Sequence, residues 1–533
     1  MSSIDVLVIG SGGAALSAAL MAKRSGATVL IVTKGSITNS HTVMAQGGIN
    51  AALANVDSDS IEAHINDTIK AARGLADDMM VEKMCKGAID AISYLEKIGV
   101  NFSRIDNAKE PIKSIAQRKL GGASANRACY AQDYTGLKIS HTLIDQILKE
   151  GIKVVQNHNF LRLIVEDNRT KGAIFLDIDS GNLKEIWAKS VIVATGGFGA
   201  IYYNHTTNAN FATGDGVVAL FRAGAEISGL EFVQFHPTAL RDSLVLISES
   251  ARGEGGYLIN SDSERFVDEL APRDEVSRAV YEQIQNNKEV FLDLRHLDSK
   301  HLQESMPQEL KLCEVYEGVD ATKELIPIKP VVHYTMGGVD VNSNHETTTI
   351  KGCFVVGEVA NSKVHGANRL GGNSLLEITT FGMEAGINSA KYSKEIKFNK
   401  PSDKWLKEEQ SNISNIFSKQ NELNFYEYKD RLGDIMFKNV GIIRDKGSLE
   451  TAFKEIKNIE LKFEKMGIKD KSKVANSELV EFLEFRNAIT LAPLITAMAI
   501  AREESRGAHY RSDFPNENKD FERFTILRIK DEA

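Results

Sequence analysis

The sequence predicts an α/β fold: a Rossmann-like nucleotide-binding unit at the N-terminus, interrupted by an inserted α+β segment and followed by a helical one. Three observations carry this. Asp5 to Val32 reads strand, glycine turn, helix, strand. A second apolar run, Ser190-Val-Ile-Val-Ala-Thr-Gly-Gly-Phe-Gly199, also ends on glycines. Beyond Ile396 the spacing is helical and heavily charged, with Pro401 at the junction.

The first turn, Gly10-Ser-Gly-Gly-Ala-Ala15, has the chemistry of a dinucleotide cradle. Gly10 admits the tight turn, Gly12 and Gly13 let the backbone approach a pyrophosphate, and Ala15 lets the helix lie close on the sheet. The second strand ends in Thr33-Lys34 rather than in an acidic residue that would hold a ribose. A cation there suits phosphate charge, so the ligand need not be NAD.

A chain of 533 residues has room for two to four domains, and 42% hydrophobic with 26% charged residues is ordinary for a globular protein. The formal net charge of −8 carries no nucleic-acid signal. Cys85, Cys129, Cys313 and Cys353 lack metal-ligand spacing, which argues against a zinc or iron–sulfur site in this chain and for reduced cytoplasmic thiols. The first strand begins at residue 4, leaving no room for a signal peptide, so a cytoplasmic location is expected. The apolar run Ala488 to Ala501 is too short to span a bilayer and reads as a buried helix.

Taken in order, Thr38 to Ile49 is a small-residue loop containing His41 and the Gln46-Gly47-Gly48 run. Asp57 to Lys97 has the apolar spacing of two amphipathic helices, and Lys119 to Ser124 is a further glycine loop. His141 to Ile147 starts a helix leading to a strand at Ile152 to Val155, and Leu161 to Trp187 alternates like an antiparallel meander. Thr213-Gly-Asp-Gly216 precedes an Ala/Gly helix; Asp215 suits either that helix N-terminus or a cofactor hydroxyl. The composition shifts at Leu230, where His, Glu and Arg stand beside Gly and Pro in loops. The expected organisation is therefore a nucleotide-binding domain over 1–229 and 331–395, an inserted domain over 230–330, a helical domain over 396–510 and a tail over 511–533. Lys351 to Glu358 reads as a late strand with an acidic end. The run Val364 to Leu376 enters a helix whose first amides can face an anion or a reduced flavin ring.

His236, Arg273, His333 and Arg369, with Ser248 and Glu249, all stand at glycine- or proline-rich turns. Two arginines and two histidines beside a dinucleotide suit a small dianion, because guanidinium binds carboxylate through paired, charge-assisted hydrogen bonds. Without a G-x-S-x-G, H-E-x-x-H or Walker sequence, hydride chemistry by the cofactor is the natural reaction.

The ordered motifs Gly10-Ser-Gly-Gly, Ser40-His-Thr-Val-Met-Ala-Gln-Gly-Gly, Gln234-Phe-His-Pro-Thr, Arg252-Gly-Glu-Gly-Gly-Tyr, His333-Tyr-Thr, His365-Gly-Ala-Asn-Arg-Leu-Gly and Glu504-Ser-Arg-Gly-Ala-His span nearly the whole chain. On them the sequence resembles the flavoprotein subunits of succinate dehydrogenase and fumarate reductase and, more distantly, L-aspartate oxidase. The resemblance implies an FAD-binding domain, a capping domain over the isoalloxazine, a helical domain, and a dicarboxylate oxidised or formed between them. By motif, His41 is the residue that carries FAD covalently. His236, Ser248, Glu249, His333 and Arg369 hold the substrate carboxylates, with Ser248 where the family often has threonine. Arg273 is the proton-transfer residue; a guanidinium pKa above ~12 makes that role depend on a relay. Glu358, Ser374 and Leu375 lie along FAD, with Lys34 near its adenosine end.

The same resemblance implies an iron–sulfur partner subunit, a membrane or quinone-reactive subunit beyond it, and peripheral attachment at the cytoplasmic face of the inner membrane. His41, Leu120 and Gly371-Gly372 favour the dehydrogenase/reductase branch, since an aspartate oxidase is expected to present glutamate at position 120 for the substrate ammonium. Thr238-Ala-Leu240 and Leu270-Ala-Pro-Arg273 read like the oxidase, which stays the alternative.

Overall fold

A computed structural model describes residues 4–106 and 110–529. The first three residues of the expected nucleotide-binding domain, its residues 107–109 and the last four of the expected tail lie outside the described residues.

The nucleotide-binding unit is built on a parallel sheet. Strand Ile4–Ile9 pairs with Val29–Val32 on one side and with Leu183–Val193 on the other, and Lys153–Val155 and Cys353–Val355 extend it outward. Val6, Leu7, Val8, Val191, Ile192 and Val193 are fully buried, as a parallel sheet covered on both faces requires. The expected meander is present as His158–Glu166, Arg169–Asp177 and the first half of Leu183–Val193. That last strand changes partners along its length. It is antiparallel to Arg169–Asp177 up to Trp187 and parallel to Ile4–Ile9 from Ala188 onward, so meander and parallel sheet share one strand.

Helix Gly13–Arg24 lies against helix Asn373–Glu395. Both present small residues: Ala14, Ala15, Ala18 and Ala22 are buried, and a Cβ on Gly382 would come within 2.8 Å of the Ala14 carbonyl. Backbones this close let the first turns of both helices reach one cleft.

The stretch 57–97 forms three helices rather than two: Ile61–Ala71, Asp78–Lys86 and Ala88–Ile98. The apolar spacing continues through Gly87, but this glycine caps the second helix and opens the third, so the periodicity hides the break.

The inserted segment folds around an antiparallel sheet ordered Val233–Leu240, Ile326–Thr335, Val290–Asp293, Tyr257–Asn260, with helices Glu249–Gly253, Arg273–Gln285 and Pro307–Glu317 beside it. It has its own core of Leu240, Leu258, Val276, Val280, Leu292 and Ile326. Strand Ile326–Thr335 runs across residue 330, so the chain returns to the first unit within a strand and not through a linker.

Four helices follow: Lys404–Ser418, Phe425–Asn439, Lys446–Lys462 and Ser477–Ala501. The last begins where Asn476 Oδ1 accepts the Leu479 amide at 2.7 Å. It extends beyond the apolar run at both its length and its polarity, and its 25 residues are long and apolar enough to cross a membrane by length and composition. In the fold it is a core helix: Leu479, Phe482, Phe485, Leu491 and Ile495 are buried in the same cluster as Val193 and Phe198. The chain then places Ile526–Leu527 beside Ile227–Ser228, adding an outer strand to a second small sheet.

Candidate active site

A cleft of about 620 Å³ opens at the carboxyl ends of the parallel strands, where Ile9–Gly13, Val32–Lys34, Ala194–Gly197 and Val356–Glu358 converge. Gly10 has φ +121°, and a Cβ there would lie 2.8 Å from the Ala194 carbonyl carbon, so no larger residue fits the turn. Gly12 stands at the N-cap of Gly13–Arg24, which has neither a side-chain cap nor an acidic residue in its first turn. Its positive dipole end and the first-turn amides beyond that of Gly13 therefore face the cleft. Gly13 N–H donates to Thr42 Oγ1 at 3.1 Å, tying the loop with His41, Gln46, Gly47 and Gly48 to the cradle. Ser374 and Leu375, in the first turn of Asn373–Glu395, line the same space.

Two expectations at the nucleotide end need correction. Ala15 does not line the cleft; it is fully buried toward the sheet and Ala14 lines the cleft instead, so Ala15 is a packing residue. Lys34 does not offer a free cation to phosphate. Its ammonium donates to Asp215 Oδ2 at 2.5 Å, Glu484 Oε1 at 2.7 Å and the Phe211 carbonyl at 3.1 Å, which occupies all three protons. Despite burial, the two carboxylates raise its pKa above the usual lysine value. Asp215 is the first residue of helix Asp215–Arg222, and its Oδ1 accepts from Thr213 Oγ1 and Asn487 Nδ2 at 3.0 and 2.9 Å.

The other end of the cleft gathers His41, His236, His333, Ser248, Glu249, Arg273 and Arg369. The rings of His236 and His333 are 4.9 Å apart and those of His41 and His333 6.4 Å. Burial, reinforced by the arginines, holds His236 and His333 well below the usual histidine pKa and His41 at about 4. All three are thus neutral donors or acceptors at physiological pH. Thr238 gives its hydroxyl proton to the Ile247 carbonyl and its amide to His236 Nδ1. The His236 proton is then on Nε2, toward the cleft.

Positive charge comes from the arginines. Arg273 donates from Nε and Nη2 to Glu249 Oε2 and from Nη1 to Gln234 Oε1. Arg369 is different: buried and set over the Tyr334 ring at 4.5 Å, it makes one hydrogen bond among the described residues, to the Leu370 carbonyl, and its Nε has no partner among them. Burial and the neighbouring Arg273 push its pKa down to about 10. A buried guanidinium with free donors on a cleft is a built anion site. Glu358 accepts from the amide and hydroxyl of Thr335 at 2.9 and 3.1 Å, and burial raises its pKa to about 7.

The structure adds residues to the predicted set. Arg252 pairs with Glu249 from the far side at 3.6 Å, making a row Arg273–Glu249–Arg252. Gln234 fixes Arg273, Asn208 Nδ2 donates to His41 Nε2 at 3.3 Å, and Glu484 shares Lys34. Gln234 and Arg252 stood inside the recognised motifs; Asn208 and Glu484 carried no local signal.

A helix N-terminus without a side-chain cap at a parallel sheet, opening onto neutral histidines and buried arginines, is the arrangement of a dinucleotide-dependent oxidoreductase. A family model described as an FAD binding domain matches residues 5–375, and one described as the fumarate reductase flavoprotein C-terminal region matches 429–533. The chain is 38% identical to the succinate dehydrogenase flavoprotein subunit of Rickettsia conorii, covering 99% of this chain and 93% of that protein. It is 35% identical to the 8-methylmenaquinol:fumarate reductase flavoprotein subunit of Wolinella succinogenes, covering 96% and 86%. A solved variant of E. coli quinol fumarate reductase superposes with a TM-score of 0.91 at 31% identity, over 98% of this chain and 94% of that one. The chain belongs to the succinate dehydrogenase/fumarate reductase flavoprotein family and is an FAD-dependent oxidoreductase. The aspartate oxidase alternative is not favoured. FAD fits the residues present. A Cβ on Gly10 would strike the Ala194 carbonyl, and His41 Nδ1, Gln46 Oε1 and Thr195 Oγ1 are buried beside the cleft with no partner among the described residues.

Proposed function

We propose that this chain interconverts succinate and fumarate. The observation that carries the reading is Arg369, a buried guanidinium with free donors beside the cleft, next to a second arginine and two neutral histidines. Arg369, His333 and His236 Nε2 bind one carboxylate, and Ser248 with the adjoining backbone binds the other. FAD, when bound, supplies hydride acceptance or donation. Clamping both carboxylates fixes which carbon faces that cofactor and stabilises charge that grows on them when fumarate is reduced.

Arg273 moves the proton at the neighbouring carbon. Its Nε and Nη2 protons are already shared with Glu249 Oε2 at 2.9 and 2.6 Å, so a proton taken up on one side is released to Glu249 on the other, with Arg252 next in the row. Glu249 is held below the usual carboxylate range, chiefly by Arg273 and Arg252 against the cost of burial, and so stays an anion between transfers.

Further parts of the reading rest on the same site. His41 carries FAD covalently; a neutral imidazole with a partnerless ring nitrogen at the cleft supports this. Residues 230–330 cap the cleft, supported by the cleft-lining positions of His236, Ser248, Glu249 and Arg273. Electrons pass to or from an iron–sulfur partner subunit, which links the chain to a membrane or quinone-reactive subunit at the cytoplasmic face of the inner membrane.

The test is anaerobic mixing of the FAD-loaded protein with succinate and, separately, with L-aspartate. Bleaching of oxidised flavin by succinate alone is expected; bleaching by L-aspartate alone overturns the reading.

A further inference from the structure

Behind the substrate end of the cleft lies a carboxyl group that the mechanism above does not use. Glu309, near the start of helix Pro307–Glu317, is 1% exposed. Its Oε1 accepts from the Ser248 amide at 3.3 Å and the Ser250 hydroxyl at 3.1 Å, while its Oε2 is buried without a partner among the described residues. The Ser250 and Ser248 hydroxyls are bonded to each other, and Ser248 lines the cleft whereas Ser250 does not. The result is a chain of single-proton groups, Glu309 to Ser250 to Ser248, ending at the cleft.

A hydroxyl has one proton, so this chain has a direction. With Glu309 ionised, Ser250 donates to the carboxylate and Ser248 donates to Ser250, leaving a Ser248 lone pair toward the cleft. With Glu309 protonated, it donates to Ser250, Ser250 donates to Ser248, and the Ser248 proton is free to meet a substrate carboxylate.

We propose that Glu309 is a positioning residue that sets the direction of the Ser250–Ser248 hydroxyl chain and thereby the strength with which Ser248 holds a substrate carboxylate. The proposal rests on the reading of Ser248 as a substrate-binding residue. The charged and titratable groups facing Glu309 are few. Asp133, from the loop before helix Thr135–Lys149, accepts the Glu309 amide at 2.8 Å; Arg118 approaches from strand Gln117–Arg118; Cys313 lies one turn along its own helix. Glu249, between Ser248 and Ser250 in sequence, is held by Arg273 and the Gly121 amide. Burial first, then Asp133, raises the Glu309 carboxyl to about 7, against the lowering by Ser248, Ser250 and Arg118. The chain therefore reverses near neutral pH.

The test uses the FAD-loaded full chain and malonate as a non-reacting dicarboxylate, with affinity read from the flavin difference spectrum between about pH 6.5 and about pH 8.5. The wild type is expected to bind on the order of tenfold more weakly at the upper end, the size of one charge-assisted hydrogen bond. In Glu309→Gln the side chain has no proton to gain or lose, so the chain keeps one direction and the pH step disappears. In Ser250→Ala the chain is cut and the pH step disappears. A wild-type affinity that is flat with pH, or a step that survives unchanged in both variants, overturns the proposal; survival assigns the step to Glu358 or Asp133. No spectral response of the wild type to malonate at any pH overturns the dicarboxylate reading, and this inference with it.

Discussion

Arg273 places two of its donors on a single oxygen of Glu249, with Nε and Nη2 at 2.9 and 2.6 Å from Oε2, while Glu249 Oε1 accepts the Gly121 amide at 2.9 Å. The carboxylate is thus held on both oxygens by protein, and the guanidinium keeps the second proton of Nη2 and its Nη1 group, the latter shared with Gln234. A guanidinium bound so tightly on one side suits the relay proposed for it better than the role of a free charge.

Arg273→Lys should preserve dicarboxylate binding within about tenfold yet lower turnover by about 10²–10⁴-fold, the range for removing a positioned proton donor. An ammonium keeps the charge but cannot bridge Glu249 and the substrate with one planar group. Steady-state kinetics beside malonate titration separates the two; near-normal turnover removes Arg273 from the proton path.

His41→Ala should retain FAD through the cradle and lose covalent attachment. Acid precipitation is the check: flavin is expected in the pellet for the wild type and in the supernatant for the variant. Flavin that stays with the denatured variant shows that another residue carries it.

Lys34→Met should destabilise the protein by about 3–5 kcal/mol, because Asp215 and Glu484, 8% and 9% exposed in their side chains, would be left as uncompensated neighbouring charges. Adding Glu484→Gln should recover part of the loss. Urea denaturation of both variants measures this, and equal stability of Lys34→Met and wild type refutes the triad's structural role.

Glu358 predicts a pH-dependent stability. Burial raises its folded-state pKa from 4.5 to about 7, so the native state binds the proton more tightly than the unfolded chain. The associated stability is full below about pH 4.5, falls as pH rises, and is lost above about pH 7, a total of about 3 kcal/mol. Glu358→Gln removes this dependence. On FAD-free protein, the stability of the variant relative to wild type should therefore increase between about pH 5 and about pH 8. A constant difference contradicts the raised pKa. Glu309 titrates in the same window and makes the wild-type slope steeper, which is why the comparison is between variant and wild type.

Much of the architecture was legible from local pattern alone. The apolar runs at Asp5–Val32 and Ser190–Gly199, the glycine turn between strand and helix, and the charged helices after Ile396 are all properties of neighbours in sequence. So is the cleft's position at the strand ends, since helix N-termini and glycine turns place it there. The roles proposed for His236, Ser248, His333 and Arg369 rest on the motifs that surround them, and the fold brings all four to one cleft.

What only the folded chain decided depends on which groups meet across long separations. Periodicity did not reveal that Gly87 divides a helix, nor that Leu183–Val193 serves two sheets in opposite senses. Lys34 reads as a cation for phosphate until residues 181 and 450 positions away close on it as carboxylates. Glu309 carries no local signal at all; the inserted domain turns it onto Ser250, 59 positions earlier. Hydrophobic pattern is set by the repeat of a single element, whereas the charge and donor state of a polar group are set by the few atoms within about 3 Å of it.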